Sequence, residues 1–404
     1  MTHWTILTCE YPPGCGGVGD YTAQVAAALA EAGDTVTVFC PPRAAPAPRD
    51  LGEFVEPPGV EVVMLDDVYG SIGRRTIDRK LGDQKLADQR PGRGPATILV
   101  QYVPTGFGLR GANIPWCRWL LERRRRHGDD VRVMFHEPYF EFTWSPIRQN
   151  ALAVAERLMA RMLLRAASRV YLSTDAWRRY LAPHTAGRGP HGFVTLPIPS
   201  AIPRCDRPAA VVERRKQLLG SSARQLVGHF GTFGSEVAPM LTAALTNLME
   251  HGAGIRAVCV GSGSDAFVRS LDDVAPTSRG QVIATGRVSA RDAAVALSSC
   301  DLLLQPYPDG VTTRRTSTMA GLVNARAIVT TTGHLTEPVW AETGAVALAA
   351  ARDNGSFLRL AQALLSDETK RAALAARGEQ VYLERFALAH TIRTLRGALE
   401  GAAA

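Results

Sequence analysis

Short apolar runs rich in β-branched residues alternate with helical stretches along almost the whole chain, and this alternation restricts the fold most. It is typical of an open parallel sheet with helices on both faces. Each run is apolar almost continuously, as expected of a strand that is covered on both sides. The predicted strands are Trp4–Cys9, Thr35–Phe39, Val60–Leu65, Thr97–Gln101, Val131–Phe135, Arg169–Leu172, Leu226–Phe230, Ile255–Val260, Val282–Ala284, Leu302–Gln305 and Ala327–Thr331.

A proline-rich segment, Thr195–Asp206, interrupts the alternation. Proline at this density prevents regular structure, so we interpret the segment as a stiff connector. A chain of 404 residues is also too long for one ordinary core and about right for two. We therefore predict two Rossmann-like, doubly wound parallel-sheet domains, residues 1–200 and 201–380. A C-terminal helix within 381–404 is predicted to pack back on the first domain.

The composition, 46% hydrophobic and 21% charged residues, is that of a globular protein. No apolar run has the length of a membrane span, and the N-terminus lacks the features of a signal peptide, so a soluble, cytoplasmic protein is expected. The seven cysteines are scattered, which favours small buried thiols over a metal site or a disulfide framework.

The formal net charge of +8 comes almost entirely from arginine and favours anionic partners such as diphosphates, acidic acceptors or lipid headgroups. No basic stripe interleaved with aromatic residues is present, so nucleic acid is not expected as a partner. Arg157, Arg161 and Arg165 share one face of a helix predicted around 151–167. A solvated face is favoured there, and peripheral contact with an anionic membrane is the alternative. Residues 70–95 are basic and glycine-rich without clear periodicity, and we interpret them as a mobile surface loop.

The first glycine-rich loop, EYPPGCGGVGDY, follows the first strand and precedes a helix predicted from Tyr21 to Ala32, which Asp20 is expected to cap. It contains G-x-G-x-x-G, but two prolines lengthen the turn and the second strand ends without an acidic residue, which argues against dinucleotide binding. Two interpretations stay open. Either the bare backbone approaches an anion at the helix N-terminus, or the loop is a tight turn without a ligand.

The segment PPGCGGVGDYTAQVAAALAEAGDTVTVF resembles the opening of family 4 glycosyltransferases of GT-B fold. VQYVPTGFGLRGANIP, VMFHEPY and the proline-rich connector also resemble parts of that family. The resemblance implies two domains that face a cleft, with the acceptor on the N-terminal side and a nucleotide diphosphate sugar on the C-terminal side. It implies that Gly16 and Gly17 lie against the diphosphate and sugar of the donor.

His136 follows the strand Val131–Phe135, at the end where ligands bind open α/β sheets. A structural histidine is the alternative, but the resemblance implies a contact with the donor sugar and stabilisation of an oxocarbenium-like transition state. Glu137 either faces the acceptor or caps the next segment. Tyr102 is a weaker candidate for the acceptor side, with a buried aromatic as the alternative.

Glycine loops follow three strand candidates of the second half. Gly231 and Thr232 follow the first strand, Gly261 the second, and Arg287 the third. Backbone amides and a basic side chain at neighbouring strand ends are suited to a phosphate group. Three such loops together predict a nucleotide site.

The segment Leu302–Thr331 lies where the family has a paired-glutamate motif, in which one glutamate binds sugar hydroxyls and the second binds the ribose. Asp309 stands at the first position here and Ser317 at the second. His229 and Gly234 replace the family's usual Arg and Lys in the preceding loop. Arg314 and Arg315, at the start of a helix predicted from Thr313 to Val323, are therefore the expected partners of the leaving diphosphate.

These observations predict a metal-independent, retaining glycosyltransferase that moves a hexose-type sugar from a nucleotide diphosphate sugar, most simply a UDP-sugar, to a hydroxyl acceptor. His136, Arg314, Arg315 and Asp309 are the predicted catalytic residues, and no further cofactor is expected. The alternatives are a catalytically altered GT-B protein that only binds sugar nucleotides, a relative that joins a nucleotide-activated cyclitol to an amine, a UDP-sugar epimerase, and a NAD-dependent oxidoreductase.

Overall fold

The computed structural model describes residues 1–13, 16–42, 55–87, 95–142, 147–185, 192–221, 223–252, 254–350 and 353–400. The chain divides into two compact units, Met1–Pro197 with Leu388–Ala404, and Ile198–Ala387. The boundaries expected from the sequence lie a few residues away, at 200/201 and 380/381. Among the described residues, no helix is long and apolar enough to cross a membrane.

The first unit contains a seven-stranded sheet in which every neighbouring pair is parallel. Its strands, in the spatial order β3-β2-β1-β4-β5-β6-β7, are β1 His3–Thr8, β2 Thr35–Cys40, β3 Val60–Met64, β4 Thr97–Tyr102, β5 Asp130–Phe135, β6 Arg169–Leu172 and β7 Phe193–Thr195. Its α-helices are α1 Gly17–Glu31, α2 Ser71–Ala87, α3 Ile114–His127, α4 Ile147–Ala166 and α5 Arg178–Leu181.

The second unit repeats the design with six parallel strands in the order β10-β9-β8-β11-β12-β13. These are β8 Gln225–Phe230, β9 Ile255–Val260, β10 Val282–Ala284, β11 Leu302–Gln305, β12 Ala327–Thr332 and β13 Ala347–Ala350. The helices of this unit are α6 Pro208–Leu219, α7 Ala238–His251, α8 Ser264–Val274, α9 Ala290–Ser298, α10 Thr316–Val323, α11 Pro338–Thr343, α12 Asn354–Ser366 and α13 Glu368–Val381.

Alternate residues of the central strands pack into two separate apolar cores. Leu302 and Leu304 of β11 point to one face of the second sheet, whereas Leu303 points to the other. This explains why β11 has three successive leucines, because a parallel sheet has helices on both faces. All eleven predicted strands are present, so the predicted doubly wound parallel-sheet class is confirmed.

Two strands were not predicted, and both lie at a sheet edge. Phe193–Thr195 is only three residues long, and Ala347–Ala350 lacks the β-branched residues that favour strands. An edge strand is paired on one side only, so it does not need the continuous apolar run by which the central strands were recognised. Sequence patterns therefore detect such strands poorly.

The prediction of a loop at residues 70–95 is wrong for the first part of that range, because α2 spans Ser71–Ala87. The carboxylate of Asp67 accepts hydrogen bonds from the amides of Gly70, Ile72 and Gly73 at 3.0, 3.1 and 2.8 Å. These bonds stabilise the start of a helix whose residues show little amphipathic pattern. Residues 88–94 lie outside the described residues.

The last helix, α14 (Leu388–Glu400), belongs to the first unit and packs along α1. Arg132 of β5 donates from Nη1 to the carbonyl oxygen of Leu395 at 2.7 Å. Arg396 lies 3.1 Å from the carboxylate of Asp34, which is itself buried. A buried acid and a buried guanidinium therefore each have a partner on this helix.

Candidate active site

A cavity of about 250 Å³ lies in the second unit at the carboxyl ends of β8 and β11 and the start of α10. Ligands of open α/β sheets bind at this edge. Five of the predicted donor residues line the cavity together with histidine, tyrosine and glutamine side chains. The lining is His229, Phe230, Gly231, Thr232, Val237, Gln305, Tyr307, Arg314, Arg315, Thr316 and Ser317.

Arg314 and Arg315 precede the first residue of α10 and share one counter-ion. The carboxylate of Asp309 lies 3.6 Å from Nη2 of Arg314 and forms an ion pair and a hydrogen bond with Arg315. The guanidinium of Arg315 also stacks over the ring of Tyr307, 4.5 Å from its centroid. Two guanidinium groups therefore lie on this wall of the cavity, which is suited to an anion.

The helix α10 begins at Thr316 and not at Thr313, because Thr313 is bound by a buried acid. The carboxylate of Glu337 accepts hydrogen bonds from the amide of Thr313 at 2.5 Å and from its hydroxyl at 2.7 Å. Glu337 is 4% exposed. Its carboxylate fixes the backbone just before the two arginines, so it is a positioning residue that the sequence analysis missed.

Ser317 is held by a small hydroxyl cluster in the first turn of α10. The hydroxyl of Tyr307 lies 2.7 Å from Oγ of Ser317 and 3.0 Å from Oγ1 of Thr318. Burial raises the pKa of the Tyr307 hydroxyl, so this group stays protonated. The position of the family's second glutamate therefore carries a neutral cluster that faces the cavity.

The three predicted glycine loops follow β8, β9 and β10, which are neighbours in the sheet. Gly231 and Gly261 have φ of +145° and +123°, and a Cβ atom on Gly261 would lie 2.5 Å from the carbonyl oxygen of Gly231. Only glycine allows this close backbone contact. The amide of Gly231 donates to Val260 and that of Gly261 to Gly286, at 3.2 and 3.3 Å. Gly261 and the exposed Arg287 lie outside the lining of the cavity.

In the first unit, the predicted anion position at the start of α1 is occupied by a side chain of the protein itself. Oε1 of Glu10 accepts hydrogen bonds from the amides of Val18 and Gly19 at 2.9 and 3.0 Å. A Cβ atom on Gly16 would overlap this carboxylate, whereas Gly17 faces open space. The cap expected from Asp20 is wrong, because the helix already begins at Gly17. Gly14 of the G-x-G-x-x-G pattern lies outside the described residues.

His136 lies just after the last residue of β5 and is buried. Its Nε2 atom is 2.8 Å from Oε1 of Gln101, the penultimate residue of the neighbouring strand β4. The amide oxygen only accepts, so Nε2 carries the proton. Gln101 was missed in the sequence, although a polar residue near the end of an apolar run is a usable signal.

The two weak acceptor candidates differ in exposure. Tyr102 is fully buried, packs against Phe107 and Phe135, and has its pKa raised well above the usual value by burial. This favours the interpretation of Tyr102 as a core aromatic. Glu137 is half-buried beside His136, where a side chain can reach the surface of the unit.

Two of the three arginines on the basic face of α4 form contacts within the first unit. The guanidinium of Arg157 lies over the rings of Tyr139 and Phe142, at 4.3 and 4.0 Å, and donates to the carbonyl oxygen of Phe140 at 2.8 Å. Arg161 donates to Nδ1 of His184 at 3.0 Å. Contact of this face with an anionic membrane stays the alternative to a solvated face. No group of three or more metal-ligating side chains occurs in the part of the chain that the structure describes.

A sequence profile of the family described as a glycosyl transferase 4-like domain matches residues 16–197, which lie almost entirely within the first unit. Over these residues the chain is similar to glycosyl transferase 4-like domains. The predicted resemblance to family 4 glycosyltransferases is thereby confirmed, and it rests on the half of the chain that carries the first glycine loop and His136. No curated protein matches the chain by sequence.

Solved structures extend the comparison from the glycosyl transferase 4-like domain to the whole chain. Sucrose-phosphate synthase from Thermosynechococcus elongatus is 16% identical with a TM-score of 0.69, covering 100% of this chain and 99% of that one. The Anabaena protein HepE in complex with UDP and glucose is 14% identical with a TM-score of 0.67, covering 99% and 100%. A glycosyltransferase from Rickettsia africae is 12% identical with a TM-score of 0.68, covering 98% and 97%. The predicted GT-B fold is confirmed.

Proposed function

We propose that this chain is a retaining glycosyltransferase that moves a hexose-type sugar from a UDP-sugar to a hydroxyl acceptor without a metal ion. The observation that supports this most directly is the pair Arg314 and Arg315 on the wall of the cavity. Paired guanidinium groups suit a diphosphate, and the cavity lies at the sheet edge where nucleotides bind. The similar Anabaena protein HepE contains UDP and glucose, which agrees with this choice of donor.

The chemical step needs charge neutralisation on the leaving group more than it needs a base. As the bond between the anomeric carbon and the diphosphate breaks, negative charge grows on the phosphate oxygen, and Arg314 with Arg315 stabilises it. The acceptor hydroxyl attacks the anomeric carbon on the same face and passes its proton to that phosphate oxygen. Its new bond to carbon replaces the one to phosphate, so configuration is retained and UDP is the second product.

Further side chains are assigned from the lining of the cavity and, for residues of the first unit, from the family resemblance. Gly231 and Thr232 lie beside the phosphates, and Ser317 with the Tyr307 hydroxyl lies near the nucleoside end. His136 contacts a sugar hydroxyl, and its bond to Gln101 fixes the ring for that contact. Gly16, Gly17, Gly261 and Arg287 stay secondary candidates for donor binding, and Glu137 for the acceptor. Both the acceptor and the assignment of the first unit to it are proposals from the family resemblance.

Asp309 favours a second candidate function. It stands at the position of the family's first glutamate, but its carboxylate is engaged by two arginines. A protein that binds a sugar nucleotide without turning it over does not need a carboxylate at this position to bind the sugar hydroxyls. In that case the UDP-sugar binds, and not even slow hydrolysis of it is detected in the absence of acceptor.

The test is turnover of UDP-, GDP- and ADP-sugars in the presence and absence of EDTA, with release of the nucleoside diphosphate as the signal. The proposal expects release from a UDP-sugar at a rate that EDTA does not change, and an α-linked product from an α-linked donor. Binding without release favours the sugar-nucleotide-binding protein. Epimerised donor would indicate a UDP-sugar epimerase, and nicotinamide binding would indicate an oxidoreductase. Activity that requires magnesium or manganese contradicts the metal-free mechanism.

A further inference from the structure

His229 is a buried residue of β8 whose ring has a fixed orientation. Its Nδ1 atom lies 2.7 Å from the carbonyl oxygen of Leu304, on the neighbouring strand β11. A carbonyl oxygen only accepts hydrogen bonds, so Nδ1 carries the proton. In the neutral ring, the second nitrogen, Nε2, therefore has a lone pair and no proton.

The lone pair on Nε2 has no partner among the described residues of the protein. Nε2 is enclosed, and no described side chain or backbone group lies within hydrogen-bond distance of it. The residue is 3% exposed, and Phe233 packs edge-on against the ring with the centroids 5.1 Å apart. Burial lowers the pKa of His229 to about 4, so the ring is neutral at pH 7. A buried acceptor without a donor is unfavourable.

The unpartnered nitrogen belongs to the cavity that the arginines line. His229 is part of the cavity wall, and its Nε2 lies 3.9 Å from the place where a Cβ atom on Gly231 would stand. Gly231 lacks that atom, so the ring nitrogen faces the space beside a bare backbone. The side chain of Ser317 borders the same space, with its Cβ atom 3.7 Å from that place.

The chemistry of Nε2 restricts what that group is. A fully ionised diphosphate offers only acceptor oxygens, and an acceptor facing a lone pair is repelled. A hydroxyl offers a proton and forms the missing hydrogen bond. A neutral histidine at this position therefore cannot take the role of a phosphate-binding arginine, although it stands where the resembling family has one.

We propose that His229 is a specificity-determining residue, whose Nε2 accepts a hydrogen bond from a hydroxyl of the bound nucleotide sugar and does not contact its phosphates. The hydroxyl belongs either to the ribose or to the transferred sugar. This inference rests on the proposed function, because it assumes that the cavity binds a nucleotide sugar.

The experiment compares wild-type protein with His229→Phe, which keeps a flat ring and removes both nitrogens. The probe is the member of UDP-, GDP- and ADP-glucose that binds the wild type most tightly by calorimetry. Analogues of that probe, each lacking one ribose or glucose hydroxyl, are then measured on both proteins. The wild type is expected to bind one analogue about tenfold more weakly than the parent. His229→Phe is expected to bind the parent about tenfold more weakly and to treat parent and analogue alike.

Phe233→Leu is the matched control, because it changes the neighbour of the ring and leaves Nε2 in place. It is expected to keep the discrimination between parent and analogue. The same discrimination by His229→Phe as by wild type would overturn the proposal, and so would equal binding of every analogue by the wild type. The position of the sensitive hydroxyl, on ribose or on glucose, decides which part of the ligand His229 contacts.

A second measurement on the wild-type protein keeps the inference testable if His229→Phe does not fold. The ¹⁵N resonance of the Nε2 atom is expected at the position of an unprotonated nitrogen and should move upfield when the probe binds. A resonance that does not move during saturation with the probe would overturn the proposal. If none of the three nucleotide sugars binds, the proposed function fails and this inference fails with it. If the wild type binds the probe and all its analogues equally well, the inference about His229 is contradicted and the proposed function is not.

Discussion

The carboxylate of Asp309 forms an ion pair with the guanidinium of Arg315. Arg314 lies 3.6 Å from the same carboxylate, so one acid orients two neighbouring cations. All three side chains are mostly buried, with 22 to 26% of each exposed. An arginine pair that is oriented before a ligand arrives loses less conformational freedom on binding than two free side chains.

The first prediction concerns the two arginines together. Arg314→Ala with Arg315→Ala is expected to weaken binding of UDP by tenfold to over a hundredfold, because a charge-assisted contact with an anion contributes about 1.5–3 kcal/mol. Uridine has no phosphates, so its affinity is expected to stay almost the same. Calorimetric titration of both ligands against both proteins checks this difference.

The control is Arg269→Ala with Arg279→Ala, which removes the same charge from two exposed positions of the same unit. This variant is expected to bind UDP as the wild type does at moderate salt. Equal losses of affinity in the two double variants would mean that net charge acts at a distance. Such a result would contradict the direct contact assigned to Arg314 and Arg315.

The second prediction separates two roles of Asp309. The resemblance implies that it binds sugar hydroxyls, whereas the structure places its carboxylate on the arginines. If orientation of the arginines is its main role, Asp309→Asn changes the dissociation constants of UDP and UDP-glucose by the same factor. We expect this result. A larger loss of affinity for UDP-glucose than for UDP would indicate that Asp309 binds the sugar.

The central strands can be located in the sequence because each of them is buried on both faces. The runs that end at Phe135 and Gln305, for example, are apolar at nearly every position. The predicted site residues Arg314, Arg315 and Ser317 also lie on one cavity with His229, because carboxyl ends of neighbouring parallel strands meet at one edge. Local pattern and topology are enough for that part of the site.

The parts that the sequence does not predict depend on contacts between distant residues. The carboxylate of Glu337 binds Thr313, which lies 24 residues earlier in the sequence, and α10 therefore begins after Thr313. Asp67 and Glu10 each bind the first amides of a helix, α2 and α1, and neither contact was predicted. Nothing in the local pattern around Glu337 or Glu10 shows which amides each carboxylate will meet, since that is set by packing.

The third prediction concerns His136. His136→Ala is expected to lower kcat about a hundredfold, because the residue is assigned to the sugar end, where charge develops in the transition state. UDP affinity is expected to change little. His127→Ala, at an exposed position that ends α3, is the control and should leave both values unchanged. A loss of UDP affinity as large as the loss of kcat would instead place His136 at the phosphates or in a structural role.

The fourth prediction is a pH dependence of stability from His229. Burial lowers its pKa from 6.5 to about 4 in the folded protein, so between these values the unfolded chain binds a proton that the folded chain does not. Acid therefore favours unfolding, and stability rises with pH across this window. From pH 7 to pH 5 the histidine is expected to cost about 2 kcal/mol of unfolding free energy.

His229→Phe is expected to lack this part of the pH dependence, whereas the exposed His127→Ala should keep it. Urea unfolding of the three proteins at pH 7 and pH 5 measures the effect as a difference of differences. Carboxylates that titrate in the same range contribute equally to all three proteins and cancel. An identical pH dependence in wild type and His229→Phe would mean that the ring takes up a proton in the folded state.

The last prediction compares two glutamates at opposite ends of α1. Glu10 accepts hydrogen bonds from the amides of Val18 and Gly19 at 2.9 and 3.0 Å, so its negative charge lies at the positive end of the helix dipole. Glu31 is the last residue of the same helix and lies at the negative end.

Glu10→Gln keeps an acceptor oxygen but removes the charge, and is expected to lower the free energy of unfolding by about 0.3–1 kcal/mol. Glu10→Ala removes the acceptor as well and should cost about 0.5–2 kcal/mol. Glu31→Gln is expected to have no effect or to stabilise the protein, because it removes a charge from the unfavourable end. Urea unfolding at low and high salt measures all three, and salt should reduce the effect of Glu10→Gln. Equal effects of Glu10→Gln and Glu31→Gln would contradict a charge-dependent cap and leave only the hydrogen bonds of Glu10 as its contribution.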